Sequence, residues 1–182
     1  MLKGKVLRDL SFFFVYNLPM AKPLSPLEFK QRLKRKIMDL LAMRDHSEKE
    51  IRTKLTQSAR RWALINEEER PQLLEEGLAQ AIAMAKESNW MGEPTKLTEA
   101  FSQSLHRKNK GIMYINHYLK EKGLPTIEAD RDLELEKALA LVKNKYPTTE
   151  KFSREDKARV ARFLASRGFD SDTVRKVIYE KL

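Results

Sequence analysis

The segment that decides the fold runs from Leu164 to Ile178 and reads LASRGFDSDTVRKVI. Leu164 ends one apolar helical stretch, and Gly168 supplies the left-handed residue with which many helices terminate. Asp170 is a typical N-cap for a following helix. Val174 and Ile178 then recur four residues apart, the spacing of one helix face. The segment therefore predicts two helices joined by a tight turn and facing a common core.

The same pattern occurs three times, each time as a leucine followed by apolar residues ten and fourteen positions later. The three sets are Leu41-Ile51-Leu55, Leu105-Ile115-Leu119 and Leu164-Val174-Ile178, and we refer to their junctions as the first, second and third turns. A cation stands three positions after each leucine, and a small or capping residue six positions after it: Arg44 and Ser47, Lys108 and Gly111, Arg167 and Asp170. The recurrence predicts tandem three-helix units, the first of them shortened, that pack neighbour to neighbour.

Helix starts and ends are clear along the rest of the chain. Ser25, Ser47 and Ser153 each open a segment of the capping-box kind, and three glutamates follow Asn66, as suits a helix N-terminus. Gly123 follows cations and precedes an apolar residue, a common way to end a helix. We therefore expect helices at about 27–43, 47–61, 67–88, 95–107, 111–122, 126–145, 153–166 and 170–181.

The composition agrees with a helical chain that has an acidic partner. The 182 residues include no cysteine and only 6 glycines, and they carry a formal net charge of +10. Strand-like alternation is not apparent, so the predicted fold is all-α, with eight or nine helices forming tandem three-helix repeats in an elongated array, straight or curved. The predicted divisions are a leader at 1–24 and three repeats at 25–66, 67–124 and 125–182.

The sequence lacks the common signatures of catalysis. It contains no phosphate-binding loop and no nucleophile elbow. His46, His106 and His117 lie in unrelated contexts, so we expect no metal site there, and the missing cysteines remove thiolate ligands and nucleophiles. We therefore expect a protein that is not an enzyme, with no catalytic residue, cofactor, metal or small-molecule substrate.

The first nineteen residues differ from the rest of the chain. Lys3, Lys5 and Arg8 precede an apolar run from Leu10 to Leu18, which outlines a signal peptide but is too short to span a bilayer. We expect the leader to be disordered, or to reflect a start codon assigned too far upstream, and the protein to be cytoplasmic. Secretion, or attachment to a membrane surface through the leader, is the alternative.

Several motifs resemble those of the RecX family. The first turn resembles the opening motif of that family, and the third turn resembles its closing motif. The residues that carry the resemblance are LLAMRDHSEKEI at 40–51, EAF at 99–101, YLKEKGL at 118–124, RFLASRGF at 162–169 and DTVR at 172–175. The resemblance covers about 30–182. The middle motif of the family usually reads Arg-Lys-Gly-Tyr-Gly-Pro, whereas RKNKGI at 107–112 keeps only Arg107, Lys108 and Gly111.

The resemblance implies a regulator of the RecA recombinase. Such proteins are built from three-helix repeats and bind the RecA–DNA filament along its groove. They restrain the ATPase, strand-exchange and coprotease activities of RecA, and so moderate recombinational repair and the SOS response. Direct contact with DNA would be weak. The altered middle motif implies that this chain binds its partner more weakly or differently, if that motif contacts the partner.

The cation-rich turns are the best candidates for contact with the RecA filament or with DNA phosphates. A structural explanation competes, because a cation suits the C-terminal end of a helix dipole and so accounts equally well for Arg44, Lys108 and Arg167. Arg107 and Lys110 lack that explanation and are favoured. The candidate binding residues are Arg44, Arg52, Arg107, Lys108, Lys110, Arg162 and Arg167.

A direct DNA-binding helix-turn-helix protein is the alternative function. The segment from Ala165 to Ile178 would supply the turn at Gly168 and a second helix carrying Arg175 and Lys176 into the groove. The same spacing recurs twice more, which suits a repeat array better than a single recognition helix. The second helices also lack the Arg, Asn and Gln cluster that reads base edges.

Overall fold

The computed structural model describes residues 22–147 and 152–181. Residues 1–21 lie outside the described part, and with them most of the predicted leader.

The described residues form eight α-helices and no strand, which confirms the all-α prediction. The helices are α1 (Pro26–Met43), α2 (Glu48–Ala59), α3 (Arg70–Glu87), α4 (Pro94–Arg107), α5 (Ile112–Glu121), α6 (Arg131–Lys145), α7 (Arg154–Ser166) and α8 (Ser171–Lys176). A 3-10 turn at Glu67–Glu69 precedes α3, and a π-helical turn at Val177–Lys181 follows α8. The last predicted helix, at 170–181, is therefore divided into an α-helical and a π-helical part.

The predicted caps explain most of these boundaries. Ser25 and Ser153 form complete capping boxes with Glu28 and Asp156, so each satisfies backbone N–H groups that have no partner inside the helix. The sixth helix begins at Arg131, later than the predicted 126, because the Asp130 carboxylate caps it by accepting bonds from two backbone N–H groups.

Three clusters of buried apolar side chains hold the helices together. The first lies between α1, α2 and α3, and its largest fully buried members are Phe29, Leu33, Ile37, Ile51 and Leu55. The second lies between α4, α5 and the loop after α5, with Leu97, Leu105, Ile115, Leu119 and Leu124. The third lies between α6, α7 and α8, with Ala138, Val142, Val160, Leu164, Phe169, Val177 and Ile178. The repeated apolar pattern thus marks core positions in every cluster.

Helix α3 packs closely on α1 at a glycine. A methyl group added at Gly77 would overlap the side chain of Leu33, so the glycine leaves room for that buried leucine. Lys30 on α1 and Glu76 on α3 form an ion pair across the same contact, with 2.6 Å between Nζ and Oε2. The packing therefore joins α3 to the first apolar cluster.

Candidate partner-binding surface

The three turns share the same local construction. Each cation predicted from the sequence is the C-cap of the first helix of its turn: Arg44 on α1, Lys108 on α4 and Arg167 on α7. Each small or capping residue is the N-cap of the next helix: Ser47 on α2, Gly111 on α5 and Asp170 on α8. Ser47 and Asp170 accept a backbone N–H with their side chains, whereas Gly111 has no side chain to do so.

Helix α5 meets the third turn directly through the main chain. The amide N–H of Gly111 donates to the carbonyl oxygen of Arg167 across 3.0 Å, and that of Met113 donates to Gly168 across 2.9 Å. The positive N-terminal end of α5 therefore contacts the negative C-terminal end of α7, an arrangement that helix dipoles favour. A methyl group at Gly111 would overlap the backbone of Gly168, and one at Gly168 would overlap Tyr114. Both positions need glycine.

This contact brings predicted binding residues of the second and third turns together. Lys110 precedes Gly111 and holds its ammonium 4.1 Å from the centre of the Tyr114 ring. Arg167 lies with its guanidinium 5.5 Å from the centre of the Phe163 ring. These side chains form a surface on which cations lie beside aromatic rings, and we call it the basic joint. Its members include Lys110, Tyr114, Phe163 and Arg167.

Lys145 is a member of the basic joint that the sequence did not single out. Its ammonium lies 3.9 Å from the centre of the Phe163 ring and 5.7 Å from that of Tyr146. The quadrupole of an aromatic ring attracts a cation that lies over its face. The Lys110, Lys145 and Arg167 side chains are therefore positioned by the rings and keep their charge. Its position near the end of α6, opposite α7, could not be deduced from spacing along the chain.

The remaining candidates of the second and third turns are exposed and form no ion pair with another described residue: Arg107, Lys108 and Arg162. Arg107 was favoured as lying outside a helix end, and this is wrong, because Arg107 is the last residue of α4 and lies in its final turn. The helix dipole therefore accounts for Arg107 as well as for Lys108. Lys110 keeps its distinction, since it lies beyond the C-cap.

The candidates of the first turn are engaged by carboxylates. Arg44 donates to Glu50, and Arg52 donates to Glu48 across 3.0 Å. About half of each arginine side chain stays exposed, at 49% and 45%. Both arginines therefore form ion pairs with nearby residues of the same chain segment. Arg107, Lys108 and Arg162 form no ion pair with a described residue.

Glu50 is the centre of a buried charge cluster that links the first turn to α5. It contacts Arg44, the His46 ring at 3.3 Å and Lys122 from the C-terminal end of α5 at 3.0 Å. Burial alone would raise the pKa of Glu50, but the contacts with Lys122, Arg44 and His46 outweigh burial and lower it to about 2. Burial lowers the pKa of His46, although the Glu50 carboxylate acts in the opposite direction.

The hydroxyl of Ser47 strengthens the same link. It donates to the carbonyl oxygen of Lys122 while accepting a hydrogen bond from the Glu50 N–H. The N-cap residue of α2 therefore also satisfies a carbonyl group at the C-terminal end of α5. The N-terminal end of α2 therefore meets the C-terminal end of α5, much as the N-terminal end of α5 meets α7. No sequence signal indicated Lys122, because it lies more than seventy residues from Ser47.

A second buried charge cluster supports the basic joint from inside. Glu134 on α6 is 1% exposed and accepts the Ile112 N–H across 2.9 Å, which supplies the cap that Gly111 cannot provide. Lys137 pairs with Glu134 and also donates to the carbonyl oxygen of Lys110 across 2.8 Å. Its ammonium lies 2.9 Å from the His106 ring, and burial together with this ammonium lowers the pKa of His106.

Two negative findings apply to the described part of the chain. No group of three His, Cys, Asp or Glu side chains is arranged to hold a metal ion there. None of the helices in that part is both long enough and apolar enough to cross a membrane.

The fold and the basic joint define a helical-repeat protein, a class that presents extended surfaces to macromolecular partners. A family model described as the third three-helix domain of RecX matches residues 132–178. Regulatory protein RecX of Cronobacter sakazakii is 30% identical over 155 residues, which covers 80% of this chain and 90% of the relative. Regulatory protein RecX of Neisseria gonorrhoeae is 29% identical over 154 residues, which covers 82% and 90%.

A solved structure has a similar fold. The crystal structure of RecX from Lactobacillus salivarius matches with a TM-score of 0.57 at 17% identity, covering 85% of this chain and 97% of that one. The chain belongs to the RecX family of regulatory proteins.

Proposed function

We propose that this protein binds the RecA filament on DNA and restrains the ATPase, strand-exchange and coprotease activities of RecA. It thereby moderates recombinational repair and the SOS response, and it carries out no chemistry of its own. Membership of a family of regulatory proteins supports this role. A net charge of +10 suits a partner assembled on a polyanion.

The observation that carries the proposal is the basic joint. Lys110 and Arg167 come from turns more than fifty residues apart along the chain, yet the Gly111–Arg167 backbone bond holds them side by side. A partner that spans this joint would contact two repeats at once, so its affinity would depend on the array being intact. Exposed Arg107, Lys108 and Arg162 extend the set of cations available for charge-assisted hydrogen bonds to acidic side chains or phosphates.

The first turn has a smaller role in this proposal. Arg44 and Arg52 already pair with Glu50 and Glu48, so a partner would have to displace those carboxylates or share the arginines with them. We therefore assign the main contact to Arg107, Lys108, Lys110, Arg162 and Arg167, with Arg44 and Arg52 at its edge.

The test is a titration of the protein into RecA assembled on single-stranded DNA, with ATP hydrolysis as the readout. We expect inhibition at protein concentrations near or below that of RecA. The double charge reversal Arg107→Glu/Lys110→Glu should require at least tenfold more protein for the same inhibition, since like charge across a contact opposes binding.

The matched control is Arg131→Glu/Arg154→Glu, which makes the same change of charge at two exposed arginines at the start of α6 and α7. This variant should inhibit like the unaltered protein. An unchanged ATPase at every protein concentration would refute the proposal. Sequence-preferring binding to duplex DNA without any effect on RecA would instead favour the helix-turn-helix alternative.

A further inference from the structure

An open groove on the first apolar cluster lies apart from the basic joint. It has a volume of about 680 Å³ and runs between α1 and the end of α2. Its lining includes four cations, Arg32, Arg35, Lys36 and Arg61, together with the half-buried ring of Trp62. None of these residues is among the candidates that the sequence pattern indicated.

The charges along the groove are arranged on two walls. Arg32, Arg35 and Lys36 share one face of α1 because they are three and four residues apart. Arg61 lines the groove from the segment that follows α2. Two carboxylates also line the groove. Glu28 forms the capping box with Ser25 at one end of the groove, and Asp39 lies at the other end of the same helix face. Four cations against two carboxylates leave the groove with a net positive charge, which lies between Glu28 and Asp39.

The floor of the groove is a fixed aromatic platform. The guanidinium of Arg32 lies 4.9 Å from the centre of the Trp62 ring, and Phe29 supports that ring edge-on at 5.7 Å. Arg70 fixes the Trp62 main chain by donating to its carbonyl oxygen across 2.6 Å. Arg32 is exposed, so its planar group is available for stacking from outside.

We propose that this groove binds a short stretch of single-stranded nucleic acid, with phosphates along the arginine walls and a base stacked over Arg32 and Trp62. Exposed guanidinium and indole planes stack on unpaired bases, which a duplex does not offer. A peptide of acidic residues would match the charge but carries no aromatic ring to stack on the platform. The distance from Arg32 to Asp39 along α1 is about 10 Å, the length of about three stacked nucleotides.

This inference goes beyond the proposed action on RecA and is tested without RecA. In the background Trp90→Phe, Trp62 is the sole tryptophan of the protein. We expect a ten-nucleotide oligothymidine to quench its fluorescence by stacking, with a saturable dependence on concentration. A strand that binds without quenching Trp62 would overturn the placement in the groove.

Two variants test the charge arrangement, with a labelled strand and fluorescence anisotropy as the readout. Arg32→Ala/Arg35→Ala/Arg61→Ala should weaken binding and flatten the plot of log affinity against log salt by about 2, because each phosphate contact on a single strand contributes about 0.7. Asp39→Asn should tighten binding about fivefold at low salt, since a charge that repels phosphate is removed. A misfolded protein could not produce that gain.

The matched control removes three exposed arginines elsewhere, Arg131→Ala/Arg154→Ala/Arg159→Ala. It has the same net charge as the triple groove variant and should flatten the salt plot by less than 1. Equal flattening in both triple variants would show that binding is spread over the surface and would overturn the groove. Polyglutamate that competes as well as oligothymidine would overturn the nucleic-acid assignment, whatever the ATPase assay shows for RecA.

Discussion

The amide nitrogen of Gly111 and the carbonyl oxygen of Arg167 lie 3.0 Å apart and form a hydrogen bond between two repeats of the chain. The bond depends on the absence of a side chain, because a methyl group at Gly111 would overlap the backbone of Gly168. Two repeats are thus joined by main-chain atoms, and the side chains around them are left to form the basic joint.

Gly111→Ala should separate α5 from the third turn. Since a backbone cannot give way as a flexible side chain can, we expect a loss of about 2 kcal/mol in the free energy of unfolding. Urea denaturation followed by circular dichroism measures this loss. Gly92→Ala is the control, because its added methyl group would meet only the side chain of Leu97, at 3.3 Å. Equal losses for the two variants would contradict the role of the joint.

Acid should destabilise the link between the first turn and α5. The pKa of Glu50 is about 2 in the folded protein, below its ordinary value of 4.5. Its contribution to stability is therefore complete above pH 4.5 and is lost as the pH falls from 4.5 towards 2. Glu50→Gln should lower the free energy of unfolding by about 2 kcal/mol at pH 7 and by much less at pH 2. The exposed Glu136→Gln should show no such difference.

His46, which is buried, and His106, which is half-buried, should add a second, milder pH dependence. Burial lowers the pKa values of His46 and His106 below the ordinary 6.5, so the unfolded chain takes up protons more readily than the folded one. Stability is then complete above pH 6.5 and falls as the pH drops below it. His46→Gln/His106→Gln should flatten the dependence of the melting temperature on pH between 6.5 and 5. An unchanged dependence in the double variant would contradict this origin of the pH effect.

Removing Lys137 should leave Glu134 without its buried partner. Lys137→Met is expected to cost about 3 kcal/mol, because an unpaired carboxylate at 1% exposure is poorly solvated. Glu134→Gln/Lys137→Met should recover part of this loss, since the amide carries no charge and can still accept the Ile112 N–H. Chemical denaturation of both variants measures the difference, with Lys143→Met as the exposed control. A double variant less stable than Lys137→Met would contradict the explanation.

The first leucine of each turn should contribute a different amount to the free energy of unfolding. Leu164 is fully buried, so Leu164→Ala should cost about 3 kcal/mol. Leu41 is only partly buried against its cluster, and Leu40 occupies the core there, so Leu41→Ala should cost about 1 kcal/mol. Thermal or urea denaturation of the two variants, compared with Leu40→Ala, decides this order.

The repeated turns were predictable because they rest on local rules. A leucine, a cation and a capping residue at fixed spacing correctly indicated the C-caps Arg44, Lys108 and Arg167 and the N-caps Ser47, Gly111 and Asp170. The same spacing was less exact for the core, where Leu40 rather than Leu41 is buried. The helical period predicts which face of a helix is buried, but not how deeply each residue on that face is buried.

The contacts between turns could not be predicted in the same way. Glu50 forms an ion pair with Lys122, and the Lys145 ammonium lies over the Phe163 ring. No spacing or motif in the sequence relates the two residues of either pair. Glu134 and Lys137 are three residues apart and have the pattern of an exposed helical ion pair, yet both are buried. Their role follows from the packing of α6 against the second turn. The assignment of partner-binding residues and of the unit boundaries stays a prediction.

A joint built from main-chain atoms has a consequence for divergence within the family. Every residue carries a peptide C=O and every residue except proline carries a peptide N–H. The bonds from Gly111 and Met113 to Arg167 and Gly168 therefore fix the identity of only the two glycines and otherwise exclude only proline at position 113. The neighbouring side chains can change without altering how the two repeats meet. A lineage can therefore exchange the cations and aromatic rings of this surface, and adapt to a changing partner, while the scaffold that presents them keeps its form.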